Sequence, residues 1–139
     1  LFAAGEGLSA QRLGKIASGG EMSRVMLALK VALGECDQVD TLVFDEIDAG
    51  VGGGTARALG AVLRDLAKTH QVIVVTHLPQ VAVCGDTHYL VTKSDDVLPQ
   101  TCLTLVSGES RTAEIARMLA GEVNETSLAH AAELLSEQE

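Results

Sequence analysis

The chain has 139 residues, 47% of them hydrophobic and 21% charged, which suits one folded domain with a real core rather than a disordered chain. Its net charge is −9 and its ten Lys and Arg are scattered, which excludes a free-standing nucleic-acid binder built on clustered basic side chains. No apolar run reaches membrane-spanning length, so no membrane partner is expected, and with aromatics at 2% the core must be aliphatic.

Leu1 rather than Met opens the sequence and no signal-peptide pattern follows, so a piece of a longer protein is expected. Residues 1–17 carry Gly5, Gly7 and Gly14 with little periodicity and read as irregular or edge structure. Over 22–33, Val25, Ala28, Leu29, Ala32 and Leu33 recur at helical spacing. Ser18 stands three before Glu21, the spacing of a capping box at that helix's start, and Gly34 would end it. The run 41–44 is short, apolar and rich in β-formers, so a buried strand is expected. A stripe of Ala58, Leu59, Val62, Leu63 and Leu66 predicts a helix over 55–68. "QVIVVT" at 71–76 is the clearest strand, and 78–83 reads as a short helix with Pro79 in its first turn. Strands follow at 87–93 and 101–107, joined by a polar turn, and helices at 110–119 and 125–136 close the chain. The order strand, helix, strand, short helix, strand points to an α/β fold with a largely parallel sheet flanked by helices. With no internal repeat, low-complexity tract or linker, 1–139 reads as a single domain. Cys36, Cys84 and Cys102 are odd in number and widely spaced, which suits buried reduced thiols of a cytosolic protein.

Three stretches carry chemistry. In "TLVFDEIDAGVGG" an apolar strand runs directly into Asp45 and Glu46. Parallel α/β sheets bind ligands beyond the carboxyl ends of their strands. Two adjacent carboxylates there suit nucleotide hydrolysis: Asp45 would hold Mg²⁺, mostly through water, and Glu46 would orient or deprotonate the attacking water. Asp48 reads equally well as a helix cap. His77 follows the second strand directly and would contact the γ-phosphate region, against the ordinary reading of a lone His as a satisfied polar residue. In "KIASGGEMSR" a helix N-terminus offers free N–H groups to an anion. Ser18 adds a hydroxyl, while Gly19 and Gly20 would let a phosphate approach the backbone. Alone, this stretch would be only an N-capped helix.

"SGGE", a helix, "TLVFDE" and "VVTH", in that order, resemble the C-terminal half of an ATP-binding-cassette ATPase. Ser18, Gly19, Gly20 and Glu21 match the signature motif, with Ala17 in place of its leading Leu. Residues 42–45 match the Walker B strand, Glu46 the catalytic glutamate and His77 the switch histidine. "DEIDA" resembles SMC-type heads rather than transporters, which follow the glutamate with Pro. "IASGGEMSRVMLALK", "FDEIDAGVGG", "VTHLPQVA", "EIARMLAG" and "HAAELL" are similar to the SMC-like proteins of bacterial DNA double-strand-break repair. At Gly52, where the wider family carries a D-loop Asp, the chain reads "AGVGGG".

No Walker A loop, GxxxxGK[ST], occurs in the sequence, and Phe2, Phe44 and Tyr89 are the only aromatics available to stack on adenine. The resemblance accounts for this: in SMC-like proteins an N-terminal lobe carries Walker A, a coiled coil intervenes, and the second lobe follows. It implies pairing with that N-terminal lobe, a homodimer of heads sandwiching ATP and Mg²⁺, and Ser18–Glu21 of one head facing the nucleotide of the other. It also implies DNA engagement through the full-length protein, a cytoplasmic, nucleoid-associated location and no turnover by this chain alone. The rival readings are a dimerisation module without chemistry and the ATPase lobe of a transporter; "DEID" disfavours the second. Arg12, Lys15, Arg24 and Arg57 read by default as solvated surface.

Overall fold

The computed structural model describes residues 18–34, 39–94 and 100–138, with positions 3, 7 and 9. Arg12, Lys15, Cys36 and most of the segment 1–17, for which irregular or edge structure was expected, lie outside the described residues.

Helix α1 (Gly19–Leu33) starts from Ser18 as the sequence suggests. The Ser18 hydroxyl accepts from the Glu21 N–H at 3.4 Å, and the Glu21 carboxylate accepts from the Ser18 N–H at 3.0 Å. Both arms of the capping box are therefore formed, satisfying two amides that a helix start leaves open. Gly34, at φ 50°, ends the helix in a conformation that side chains resist.

Strands β1 (Thr41–Phe44) and β2 (Gln71–Val74) pair in parallel, joined by helix α2 (Gly53–Leu66). Leu42 and Phe44 point to one face and are buried with Ala56, Leu59, Leu63 and Leu66 of α2 and Leu27 of α1. Val43 and Ile73 sit opposite each other on the other face, with 65% and 46% of their surfaces exposed. The second strand is shorter than the apolar run: Val75 donates one more bond, to the Phe44 carbonyl at 2.9 Å, and the ladder stops there. It stops because β1 itself ends at Phe44, so Thr76 has no strand beside it.

Helix α3 (Pro79–Ala82) has Pro79 in its first turn. Strands β3 (His88–Lys93) and β4 (Thr101–Val106) form an antiparallel pair, His88 opposite Val106 and Lys93 opposite Thr101. Among the described residues the parallel sheet is thus confined to β1 and β2, and the third strand pairs with its chain neighbour. Only seven residues, 94–100, separate β3 from β4 in the chain, which allows antiparallel pairing, whereas a parallel strand needs a crossover of about a dozen or more.

Helices α4 (Gly108–Ala120) and α5 (Glu125–Ser136) pack against each other over a second cluster, Ile115, Ala116, Ala131 and Leu134, closed by Val83 beside α3. Arg111 fastens α4 to the end of α3, donating to the carbonyls of Val83 at 3.2 Å and Gly85 at 2.6 Å. The closing helices therefore pack on the rest of the described chain. Among the described residues no helix is long and apolar enough to cross a membrane.

In α4, Glu114 is buried and takes both Arg117 bonds, at 2.8 and 2.6 Å. Burial, and then the Arg111 charge, push the neighbouring His88 imidazole below its ordinary 6.5, with Glu114 pulling the other way. The unfolded chain then binds the proton more readily than the folded one, so this contribution to stability is full above pH 6.5 and declines as pH falls below it. The unfolding midpoint is expected to drop on acidification from pH 6.5, and to drop less in His88→Gln. Circular-dichroism melts at stepped pH check this; equal slopes in the two proteins would refute it.

Candidate active site

The chain turns sharply where β1 ends. Asp45 and Glu46 are exposed, yet Ile47 is completely buried and Asp48 retains 2% exposure. To turn from two solvent-facing carboxylates to two inward residues, Glu46 adopts φ 55°, the only non-glycine described with a positive φ. Such a conformation costs on the order of 1–3 kcal/mol in a residue with a side chain. Ile47, seated in the main core, holds the turn against that cost. Hydrogen bonds from Ala49 N–H to the Glu46 carbonyl (2.9 Å) and from Val51 N–H to the Asp48 carbonyl (3.0 Å) close it.

The start of α1 is fastened to this turn. The Ser23 hydroxyl donates to the Asp45 carbonyl at 2.7 Å. Arg24 donates from one guanidinium nitrogen to the carbonyls of Ile47 (3.1 Å) and Ala49 (2.9 Å), so it is neither a solvated surface charge nor a free phosphate ligand. Gly20 is buried, and a Cβ there would lie 2.6 Å from the Glu46 carbonyl oxygen and 2.8 Å from the Ala49 Cβ. A Cβ on Gly19 would collide with the Glu46 carboxylate. Gly20 is therefore required inside this chain, to let the helix start lie against the carboxylate turn, whereas at Gly19 the contact is the free end of the exposed Glu46 side chain, which can move aside. Ser18 and Glu21, the flanking members of the tetrapeptide, cap the helix and fix that start.

The end of β2 joins the turn through Asp48. Its Oδ2 accepts from the Thr76 hydroxyl at 2.5 Å and from the His77 N–H at 3.0 Å, and lies 3.2 Å from His77 Nδ1. Burial alone would raise this carboxyl, but the bonds from Thr76, the His77 amide and its own amide, with the His77 charge, outweigh burial and hold it below 3.8. Asp48 is not a helix cap: α2 starts from Gly52, with no side-chain cap. A Cβ on Gly52 would meet nothing within 4 Å, so packing among the described residues does not demand glycine at the D-loop position.

The structure thus gathers Ser18, Gly19, Gly20, Glu21, Asp45 and Glu46 at one junction and ties His77 to the same turn through Asp48. The sequence assigned no site role to Ser23, Arg24 or Thr76, and left Asp48 between a site role and a helix cap. Asp48 lies in the quoted motif itself, but nothing in its spelling points it at Thr76. Among the described residues no group of three or more His, Cys, Asp or Glu could enclose a metal. A lone exposed carboxylate at a strand end suits Mg²⁺, which keeps several waters and takes the rest of its ligands from phosphates. Two cavities elsewhere in the described chain, lined among others by Arg64, Cys84 and Arg111, include none of the carboxylate-turn residues.

Comparison with known proteins bears on the same motifs. No family model matches the chain. The DNA repair protein RecN of Treponema pallidum is 52% identical over 97% of this chain, and that of Mycobacterium leprae 52% over 96%. The Streptomyces coelicolor RecN is 50% identical over 97%. The segment belongs to the RecN family. It spans about a quarter of the length of these RecN relatives, 24% in the first and 23% in the second. Among solved structures, the SMC head domain of Thermotoga maritima matches 73% of the chain and 37% of its own length, at TM-score 0.51 and 31% identity. An SMC ATPase described for ATP-driven dimerization and DNA-stimulated activation matches 85% of the chain and 70% of its own length, at TM-score 0.57. Its identity is 22%, and it speaks to the fold alone. The RecN segment has the α/β fold of SMC ATPase heads.

Proposed function

We propose that this RecN segment is the second, C-terminal lobe of a split SMC-like ATPase head, which hydrolyses ATP once it pairs with a Walker A lobe and a second head, in the service of DNA double-strand-break repair. The junction of α1 with the carboxylate turn carries the reading: it sets a signature-type helix start, Asp45 and Glu46 in fixed relation on one side of the core. Glu46 orients and deprotonates the attacking water. Asp45 holds Mg²⁺, which neutralises charge on the β- and γ-phosphates when bound. His77 contacts the γ-phosphate, and Ser18, Gly19, Gly20 and Glu21 serve the nucleotide held by the opposite head.

The bare face of the parallel pair supports a partner lobe. Val43, Ile73 and Val75 line it with about half or more of their surfaces exposed, and strands of a parallel sheet are ordinarily covered on both faces. Its ordinary occupant would be the Walker A lobe of the same protein. The intact protein would engage DNA through other parts, since this segment carries −9, and would work in the cytoplasm at the nucleoid.

The deciding experiment is ATP turnover by this segment alone and after reconstitution with the Walker A lobe. Turnover only in the reconstituted head is expected. A folded reconstituted head that binds ATP without hydrolysing it would leave the segment a dimerisation module, and turnover by the segment alone would overturn the split-site reading.

A further inference from the structure

The chain builds a support for His77 that the nucleotide contacts alone do not require. Asp48 is almost wholly buried, while the His77 side chain is 73% exposed and hangs from the free end of β2. A side chain so exposed would ordinarily sample several rotamers. Here a single carboxylate oxygen meets three donors of one dipeptide: the Thr76 hydroxyl, the His77 amide and His77 Nδ1. The Thr76 hydroxyl in turn accepts from the Leu78 N–H at 3.0 Å, which ties the first turn of α3 into the same network. A carboxylate can only accept, so the ring nitrogen facing it carries the proton, and Nε2 is left turned away from Asp48.

We infer that Asp48 is the positioning residue of His77: it fixes the ring through Nδ1–H and presents Nε2 to the γ-phosphate. The inference rests on the proposed ATPase reading of the site and adds a residue to it. It also couples the site's two strand ends. Asp48 lies two residues beyond Glu46, in the turn that Ile47 anchors, so a shift of the water-orienting carboxylate is passed to the phosphate-contacting imidazole through one side chain. Carboxylates that orient a metal-ligating histidine from behind are typically worth roughly 10–100-fold, and an effect of that size is expected for this phosphate-contacting one.

The test is a double-substitution cycle on ATP turnover by the complete protein: His77→Ala, Asp48→Asn and the pair. Asn keeps the shape of Asp48 but loses its charge and can turn an amide N–H toward the ring. Asp48→Asn is expected to lower kcat roughly 10–100-fold with little change in KM for ATP, and to have no further effect once His77 is Ala. Effects that multiply across the pair would mean that Asp48 acts on the fold rather than through His77, and would overturn the inference. So would a normal kcat in Asp48→Asn when His77→Ala is impaired. A normal kcat in His77→Ala would instead remove the role given to His77 itself. Should Asp48→Asn fail to fold, Thr76→Val takes its place in the cycle: it deletes the hydroxyl with its bonds to Asp48 and to the Leu78 N–H, leaves the carboxylate itself in place, and the same loss, absent in the His77→Ala background, is expected.

Discussion

Glu46→Gln in the complete protein is expected to lower ATP turnover by roughly 10²–10⁴-fold, the range general-base catalysis commonly supplies. Nucleotide binding and ATP-dependent pairing of heads should persist. The amide preserves the side chain's length and shape, and the demanding φ of 55° at this position is met as well by Gln as by Glu. Glu46 is exposed, so the change removes no buried interaction, and stability should stay within about 0.5 kcal/mol. What is lost is the capacity to accept a proton from water. A paired state that forms with ATP and no longer turns over would then accumulate, visible by size-exclusion chromatography as a dimer that outlasts the wild-type one. Normal turnover in this variant would show that Glu46 is not the base, and the neighbouring Asp45 would have to be tested for the role.

Much of this site was legible as spelling. Ser18 and Glu21 form the capping box their spacing predicts, Gly34 ends the helix as expected, and β1 ends where the carboxylates begin. Those features are local: each depends on residues within one helical turn or one strand. Other features were not legible because they are made by distant parts of the chain. Arg24 looked like a surface charge, and only the approach of the turn 23 to 25 residues later gives its guanidinium two carbonyls. Asp48 meets Thr76 and His77 across 28 and 29 residues. The α/β fold with its parallel sheet was legible, but which strands pair was not, for a related reason. A run of β-formers announces a strand but not its neighbour, and the strand over 88–93 found its partner in the next strand rather than in β2. The two glycines were legible as glycines, but the reason for them was only half seen, since the space they leave is filled from within by Glu46 and Ala49.

Gly20→Ala separates those two reasons. If the glycine served only to admit a phosphate from an opposite head, one methyl would disturb pairing and leave the free head unchanged. The geometry predicts otherwise. The new Cβ would face a backbone oxygen at 2.6 Å and the Ala49 Cβ at 2.8 Å, neither of which can swing aside, with the Arg24 guanidinium at 3.2 Å on its third side. Ser23 and Arg24 hold the helix against the carbonyls of Asp45, Ile47 and Ala49, which flank that oxygen in the same turn, so relief requires α1 and the turn to part. Overpacking of this kind costs about 1–3 kcal/mol, and the variant is expected to melt earlier by a corresponding amount even without nucleotide. Moving the turn also moves Glu46, and a displacement of about 1 Å at a catalytic group is enough to lower turnover roughly 100-fold. Calorimetry of the nucleotide-free protein beside steady-state turnover measures both. Loss of turnover with an unchanged melting temperature would place the demand for glycine at the nucleotide interface, and would mean that the junction of helix and turn is looser than its distances imply.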